Sequence, residues 1–465
     1  MRRTSVLVLL SFVTLAAAAF AALRRPIPPR ATIDVVQPVA VTTPDPVVIP
    51  QTSTGPLTVT AQLDRKWLPS GGSAAYLQLD VAAAGDPASM PKAPVNAVLI
   101  LDRSGSMAGE KILKAREAAR ALIEALDGED RLAIVDFASD ARLLLPSTAM
   151  SPEARRLALG LVQRLVPTSG TNFSRAFELA RPQLIAGRAA GRVDKVFLAS
   201  DGIVNEGIVA RPSLLGLARA DFEGATLSTF GVGNDYDEEL MEALASQAGG
   251  RARFVEDPSV LAPAFKAEFA RAAASVAREV KLSVTGLSGV TVEQVFGYEL
   301  EDGSVRLPDF AAGEKRRILA RVRLPGGQGE AQLVEAQVTC VDAAGAHFAA
   351  NAAAGGTFTA DANHLSEAPR EVEAAGAKAE MAHIARRAVM AFEAGKRDEA
   401  EKMQASIGAL SAKVANDLPA EAPALQKDAK SWAQTVDESG TGDLSARKKA
   451  KERSFDAARA PVAGW

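Results

Sequence analysis

The sequence contains little cysteine and little histidine. Cys340 is the single cysteine among 465 residues, and the three histidines, His347, His364 and His383, all lie in the last third of the chain. One thiol forms no intrachain disulfide and no cysteine-based metal cluster, and we expect no disulfide-linked partner. The histidines show no His-Glu-x-x-His spacing, which excludes a zinc protease of that type.

Aromatic residues and net charge are also low. Aromatic side chains make up 5% of the chain, and 53 Lys and Arg against 56 Asp and Glu leave a net charge of −3. This is too few aromatic side chains for a surface that stacks single-stranded bases, and no net positive field attracts a polyanion. We therefore predict no nucleic-acid partner. At roughly 150 residues per domain, the length predicts about three folding units.

Residues 1–23 have the pattern of an export segment. Arg2 and Arg3 precede a long apolar stretch, and Ala19 and Ala21 supply the small residues that a signal peptidase requires. The stretch is also about long enough to span a bilayer, so the sequence leaves open a cleaved signal peptide or an uncleaved membrane anchor. Both predict an exported protein, periplasmic or extracellular, which the anchor would tether to the membrane.

Residues 24–55 are rich in proline. Seven prolines and no amphipathic pattern occur in this stretch. Such a composition does not form a packed core and favours an extended chain. We expect a disordered linker between the export segment and the folded part.

Apolar residues alternate with polar ones in two separate parts of the chain. Residues 57–63 and 75–81 show this period on either side of a turn, which predicts a hairpin, and four further segments with it lie within 276–360. Because a two-stranded hairpin is unstable alone, we predict that residues 56–92 and 276–360 form one antiparallel β-sandwich.

The residues between these two parts have a different pattern of apolar residues. Residues 95–101 are a continuous apolar run, as expected of a strand buried on both faces, and later apolar strands alternate with helices of 10 to 15 residues. This predicts an α/β domain over residues 93–275, with a doubly wound, mostly parallel sheet, inserted into the sandwich.

The C-terminal region, residues 366–465, is rich in Ala, Glu and Lys with helical spacing. Residues 380–394 and 398–414 predict an antiparallel helical hairpin. The basic run 447–453 is typical of a solvated face. The sequence does not indicate what this region does.

A polar turn with two serines follows the first buried strand directly. It contains Asp102, Ser104 and Ser106. Two later loops contain Thr171, which precedes a predicted helix, and Asp201, which directly follows a predicted strand. Ligands of open α/β sheets bind at the carboxyl ends of the strands, so we expect these five side chains to meet there. Two carboxylates and three hydroxyls suit Mg²⁺, and Mn²⁺ or Ca²⁺ could substitute for it.

The order of these motifs resembles that of a von Willebrand factor A domain with an intact metal-ion-dependent adhesion site. Asp-x-Ser-x-Ser after an apolar strand, then Gly-Thr-Asn, then Ser-Asp-Gly, are all present within about 95–275. The wider layout is similar to bacterial secreted proteins of the inter-α-trypsin-inhibitor heavy-chain or calcium-activated-chloride-channel-like type. The resemblance implies a Rossmann-like fold and a metal bound by Asp102, Ser104, Ser106, Thr171 and Asp201.

The resemblance also implies a function for these residues. The three hydroxyls would bind the ion directly and the two carboxylates mostly through water, so that an Asp or Glu of a partner protein completes the shell. We therefore expect a non-enzymatic adhesion module, with loops 202–211 and 233–237 as the rim and Arg103 exposed on that rim. Asp235 and Asp237 are explained more simply as acids at a helix N-terminus than as ligands.

Two other functions compete with adhesion. One is a structural subunit of an envelope complex, in which the metal only rigidifies the domain. The other, more remote, is a metal-dependent hydrolase, because a carboxylate after the first strand is also where some phosphatases hold their nucleophile. Those enzymes need a second Asp two positions on, where Ser104 stands, and the α/β part has no histidine to act as a base near neutral pH.

Overall fold

The computed structural model describes a folded region that begins after the proline-rich stretch. The described residues are 55–86, 92–201, 203–233, 237–255, 257–365, 370–440, 450–451, 453–454 and 457. The expected signal peptide or anchor, 1–23, and residues 24–54 of the expected linker lie outside them. Among the described residues, no helix combines the length and the apolar character needed to cross a membrane.

The described residues form three sheets and ten α-helices. The strands are β1 Leu57–Leu63, β2 Trp67–Pro69, β3 Ser73–Ala83, β4 Val95–Asp102, β5 Arg131–Phe137, β6 Ala141–Ala149, β7 Val193–Ser200, β8 Thr226–Val232, β9 Ala252–Val255, β10 Ser275–Gly286, β11 Thr291–Val295, β12 Ser304–Arg306, β13 Phe310–Ala311, β14 Lys315–Leu324, β15 Gly329–Asp342 and β16 His347–Thr359. The helices are α1 Glu110–Ala125, α2 Pro152–Gln163, α3 Phe173–Gly187, α4 Arg211–Asp221, α5 Glu238–Gln247, α6 Leu261–Ala273, α7 Ala362–Leu365, α8 Arg370–Glu393, α9 Arg397–Asp417 and α10 Ala422–Gly440.

Strands from both flanks of the α/β domain form a β-sandwich. One sheet has the order β1-β3-β14-β11 and the other β12-β10-β15-β16-β2. The antiparallel pairing of β3 with β14 joins the N-terminal segment to the later one, and residues of both segments share one apolar core. Alternate residues of β1 point into that core, as period-2 patterning predicts. The α/β domain is inserted into this sandwich, as the fold class predicted.

The first hairpin differs from its predicted form in one respect. β1 and β3 pair antiparallel, from Leu57 opposite Ala83 to Leu63 opposite Leu77. The chain between them leaves this sheet, and β2 pairs in parallel with β16 of the other sheet. Leu68, at the centre of β2, is thereby fully buried in the shared core. Its burial explains why the connection crosses between the sheets instead of forming a tight turn.

The inserted domain is a six-stranded sheet with helices on both faces. Its order is β6-β5-β4-β7-β8-β9, with parallel pairs except for the antiparallel edge strand β6. Every residue of β4 and β7 is buried, because apolar cores lie on both faces of the sheet. The predicted doubly wound α/β fold is confirmed.

The strand order creates a crevice at the carboxyl end of β4. The chain passes from β4 to β5 on one side and later returns to β7 on the other side of β4. This reversal is a topological switch point, where the loops that follow neighbouring strands diverge. The turn that begins at Asp102 lies at this point.

The C-terminal region contains three helices where a hairpin of two was predicted. The predicted pair corresponds to α8 and α9, and α10 packs against both. Leu425, Trp432 and Val436 of α10 are buried in the same apolar core. Pro419 lies in the break before α10, and Pro423 lies in its first turn, where its missing N–H costs nothing.

The first of these helices is fixed to the sandwich. A methyl group on Gly376 of α8 would lie 2.3 Å from Cγ of Tyr76 in β3, so this helix approaches the sheet at a residue without a side chain. The Tyr76 hydroxyl donates to Glu380 of the same helix. The helices therefore cover the face of the first sheet opposite the shared core.

The C-terminal region also contacts the α/β domain. Arg386 of α8 forms a bidentate ion pair with Glu242 of α5, both distances being 2.6 Å. Lys451 pairs with Glu238 at 2.6 Å and also with Glu393. Lys451 is 6% exposed, so at this position the expectation that the basic run is a solvated face was wrong. Three carboxylates within reach provide the charge that allows its burial.

Candidate metal centre

Asp102, the last residue of β4, is held by hydrogen bonds to both of its carboxylate oxygens. It is fully buried; its Oδ1 accepts from the Ser104 backbone N at 2.6 Å, and its Oδ2 accepts from the Ser200 hydroxyl. Burial raises the pKa of Asp102 to about 6, while the hydrogen bonds from Ser200 and Ser104 oppose that rise. The carboxylate is thus fixed in orientation beneath the turn that follows.

The two serines of the turn are neighbours. The backbone from Gly105 to Met107 makes one 3₁₀ turn, which brings the hydroxyls of Ser104 and Ser106 to 3.0 Å from each other. Ser104 is buried, while Ser106 is exposed at the carboxyl edge of the sheet. The Ser106 hydroxyl donates to Oδ1 of Asp201 at 2.8 Å. The turn therefore connects the ends of β4 and β7.

Asp201 follows β7 and is fully buried. Its Oδ2 forms an ion pair with Nζ of Lys111, at the start of α1. Lys111 was not predicted from the sequence as a neighbour of the site. The available signal was its position nine residues after Asp102, in the first turn of the helix that follows the serine turn.

Thr171 lies in a loop that contacts the serine turn. The backbone N of Thr168, in the same loop, donates to the carbonyl of Arg103 at 2.7 Å. Asn205 holds Thr171 in place by two hydrogen bonds. The Asn205 side-chain oxygen accepts from the Thr171 backbone N at 2.9 Å, and the Asn205 backbone N donates to the Thr171 carbonyl at 3.2 Å. Asn205 is a second residue that the sequence analysis missed, because it is distant in sequence.

Four of the five expected residues form one continuous chain of hydrogen bonds. It runs from Asp102 through Ser104 and Ser106 to Asp201. The loop that contains Thr171 contacts the serine turn through the hydrogen bond from Thr168 to Arg103. The structure thus brings the three motifs together at one edge of the parallel sheet.

Arg103 does not occupy the exposed position that we expected. Its side chain is buried; Nε lies 3.2 Å from Oδ1 of Asp136, and the other end of the guanidinium pairs with Asp140. Asp136 is itself fully buried in β5 and needs cationic partners, of which Arg142 is the second. The prediction that Arg103 is exposed on the rim was therefore wrong.

Two polar residues near the site act as helix caps. Asn172 is the N-cap of α3 and accepts from the Arg175 N at 3.1 Å, and Asp237 is the N-cap of α5 and accepts from the Leu240 N at 2.9 Å. The explanation of Asp237 as a helix N-terminal acid is confirmed. Asp235, the rest of 234–236 and residue 202 of the expected rim lie outside the described residues.

The rim of the site carries exposed aliphatic side chains. Val166 lies in the loop before Thr171, and Ile203, Ile208 and Val209 lie in the loop after Asp201; all four are exposed. The backbone N of Ile208 donates to the Ser174 hydroxyl at 3.1 Å, which holds this second loop near the Thr171 loop. Clusters of exposed apolar side chains beside polar sites are typical of contact surfaces.

The donor set is compatible with a hard divalent cation. Within the part of the chain that the structure describes, no cluster of three or more His, Cys, Asp or Glu residues is placed to hold a metal. The oxygens of the five site residues are the ligand type that Mg²⁺, Mn²⁺ and Ca²⁺ prefer.

Comparisons with known proteins give a family for the inserted domain. The model of the von Willebrand factor type A domain matches residues 96–267. The protein named "Uncharacterized protein YfbK" of Escherichia coli (strain K12) is 30% identical over 243 residues, which are 50% of this chain and 42% of that protein. Inter-alpha-trypsin inhibitor heavy chain H4 of Bos taurus is 29% identical over 184 residues, 37% of this chain and 20% of that protein.

A solved structure extends the likeness beyond the inserted domain. The structure described as "von Willebrand factor type A from Catenulispora acidiphila" has a TM-score of 0.68 and 19% identity, and covers 87% of this chain and 98% of that one. At that identity the likeness concerns the fold alone. The chain spans less than half the length of the two curated relatives named above. Residues 96–267 of this chain therefore match the von Willebrand factor type A domain.

Proposed function

We propose that this protein is a non-enzymatic interaction module that binds a divalent cation and captures an acidic residue of a partner protein. Domains of this family typically mediate interactions between proteins, and the chain contains such a domain. The proposed ligands are Asp102, Ser104, Ser106, Thr171 and Asp201. The observation that carries the proposal is the chain of hydrogen bonds that joins Asp102 to Asp201 through the two serines.

The charge of the ligands explains why a partner's acid would bind. When bound, the ion supplies a positive charge at the sheet edge that the three neutral hydroxyls do not neutralise. The two carboxylates are fully buried and already accept hydrogen bonds, so they act mainly by orienting the serines. An external Asp or Glu would then complete the coordination. Mg²⁺ suits this oxygen-only set, and Mn²⁺ or Ca²⁺ are the alternatives.

The rim would supply the rest of the affinity. One charge-assisted contact contributes about 1.5–3 kcal/mol, which is too little for a specific complex. The exposed aliphatic residues Val166, Ile203, Ile208 and Val209 lie in the loops that contain Thr171 and follow Asp201. We therefore expect a partner segment in which an acidic residue is flanked by apolar ones.

The N-terminal part of the chain suggests where the module acts. We propose that residues 1–23 export the protein, so that the folded part lies in the periplasm or outside the cell. If this segment stays uncleaved as an anchor, the proline-rich stretch at ~3 Å per residue would hold the folded part up to roughly 90 Å from the membrane.

A structural subunit is the second candidate. Asp102 and Asp201 are fully buried and bonded within the domain, which also suits a metal that only rigidifies it. This alternative predicts a large loss of thermal stability on chelation and no partner whose binding depends on the ion. A hydrolase is a remote third candidate, because the described site places no histidine beside its carboxylates.

Affinity capture from envelope extract tests the proposal. The tagged protein is incubated with Mg²⁺, with EDTA, or as the Asp201→Ala variant in Mg²⁺, and melting temperatures are measured in parallel. We expect a partner that is recovered only by the wild-type protein with Mg²⁺. The control variant Glu124→Ala changes an exposed carboxylate near the C-terminus of α1, at the end of that helix opposite the serine turn, and should recover it too. Equal recovery in EDTA would contradict a role of the ion in binding.

A further inference from the structure

The Lys111 ammonium forms an ion pair with Asp201, which is one of the two carboxylates of the proposed metal site. Its Nζ pairs with Oδ2 of Asp201, whose Oδ1 accepts from the Ser106 hydroxyl. Asp201 is fully buried, whereas the Lys111 side chain retains 22% of its exposure. The carboxylate is thus neutralised from the helix side and connected to the serine turn from the other side.

The end of β8 leaves room for this lysine. A methyl group on Gly233 would lie 2.8 Å from Cε and 3.2 Å from Nζ of Lys111, so any larger residue there would displace the side chain. Gly233 has a φ of +81°, which also favours glycine at this position. The lysine therefore reaches Asp201 across a strand end that carries no side chain.

A lysine ammonium and a divalent ion repel each other when both lie near one buried carboxylate. The repulsion is strong there because a buried site screens charges poorly. Lys111 has a long flexible stem and partial exposure, so it is able to turn toward solvent, whereas Asp201 is fixed by its burial. Of the two partners, the lysine is the one that can leave.

We propose that Lys111 is an internal cation that competes with the divalent ion for Asp201. It neutralises the carboxylate when no ion is bound, and it must move away when the ion enters. Lys111 is thus a positioning residue that sets the ion concentration at which the site fills. This inference rests on the proposed metal site.

Calorimetric titration of the chelator-treated full chain with MgCl₂ tests this role, together with thermal melting in EDTA. The variant Lys111→Met removes the charge and keeps the apolar stem. We expect it to bind Mg²⁺ at least about tenfold more tightly than the wild type, a factor equivalent to ~1.4 kcal/mol. We also expect a lower melting temperature in EDTA, because buried Asp201 then has no cation, and recovery of that temperature when Mg²⁺ is added.

Two further variants keep the test decisive. Lys111→Gln retains a hydrogen-bond donor for Asp201 without the charge, and should also bind Mg²⁺ more tightly even if Lys111→Met folds poorly. Lys114→Met is the matched control, since Lys114 lies one turn further along α1 and pairs with Glu117 at 2.9 Å on the surface. Its Mg²⁺ affinity should equal that of the wild type.

The outcomes separate this inference from the proposed function. If the wild type binds Mg²⁺ and the Lys111 variants bind it equally or more weakly, the competition is refuted and the metal site stands. Binding by the variants but not by the wild type would support strong competition. If neither binds Mg²⁺, the proposed metal site and this inference are both overturned.

Discussion

At the scale of single residues, a buried ion pair connects the central sheet of the α/β domain to one of its helices. Nζ of Lys195 in β7 lies 2.6 Å from Oε1 of Glu268 in α6, and the Ser228 hydroxyl donates to the same oxygen at 2.7 Å. Both ionic side chains are about 5% exposed. Although burial by itself would raise the pKa of Glu268, the nearby Lys195 and Arg271 hold that pKa well below its usual range.

Replacing Glu268 by Gln should destabilise the protein strongly. The substitution keeps the shape but leaves the Lys195 charge buried without its counter-ion, so we expect a loss of about 3 kcal/mol in the free energy of unfolding. Denaturant unfolding at pH 7 measures it. Glu124→Gln is the control, because the surface pair of Arg120 and Glu124 should contribute nothing measurable.

The effect of Glu268 should depend on pH. Because the folded-state pKa is lowered, the stabilisation is fully present above the unfolded-state pKa of about 4.3 and is lost as the pH falls below it. The difference in the free energy of unfolding between the wild type and Glu268→Gln should therefore shrink steadily as the pH falls below about 4. A gap that stays constant down to pH 3 would contradict this account.

At the scale of secondary-structure elements, local hydrogen bonds determine where a helix begins. Ser151 before Pro152 is a pattern typical of a helix start, and in the structure the Ser151 hydroxyl at the start of α2 accepts from the Ala154 N at 3.2 Å. Such caps are local, since they involve groups within three residues, and sequence patterns identify them. The packing partner of a helix is different, because an apolar stripe does not specify which surface will cover it.

Gly376 should be the position where α8 tolerates no side chain. In most helices Gly→Ala stabilises by roughly 1 kcal/mol, but Gly376→Ala would press a methyl group into the Tyr76 ring, and we expect a loss of about 1–3 kcal/mol. Gly408→Ala in α9 is the matched control: its exposed position has open space, and it should stabilise. Thermal and denaturant melts of both variants test this. Equal stabilisation by both would refute the close helix–sheet contact.

At the scale of the whole molecule, the two ends of the inserted domain meet. The backbone N of Ala93 donates to the carbonyl of Ala273 at 2.8 Å, so the chain enters and leaves the α/β domain at one place. β3 lies before this insertion and β14 after it, and they pair over their length. The sandwich therefore depends on both flanks, whereas the inserted domain has cores of its own.

Removing the inserted domain should leave a folded protein. A chain in which residues 55–92 continue through a short Gly-Ser linker into 274–465 should unfold cooperatively, because β3 is still supplied. Residues 274–465 alone should not, because Leu77, Leu79 and Val81 of β3 would be missing from the core. Circular dichroism melts compare the two chains. A cooperative melt of 274–465 alone would disprove the shared sandwich.

The sequence alone determined the features that depend on short stretches of chain. The buried strand over 95–101, the alternation of strands and helices after it and the order of the three polar motifs identified the α/β fold. The same motifs indicated Asp102, Ser104, Ser106, Thr171 and Asp201 as neighbours, because the carboxyl ends of parallel strands lie at one edge of a sheet.

Only the tertiary structure decided the contacts between distant segments. Lys111 on Asp201, Asn205 on Thr171 and the burial of Arg103 against Asp136 join residues that no local pattern connects. The third C-terminal helix was missed although Leu425, Ala429, Trp432 and Val436 follow helical spacing. Periodicity reports which face of an element is apolar, whereas the choice of ion-pair and packing partners depends on where the whole chain places each charge and each apolar face.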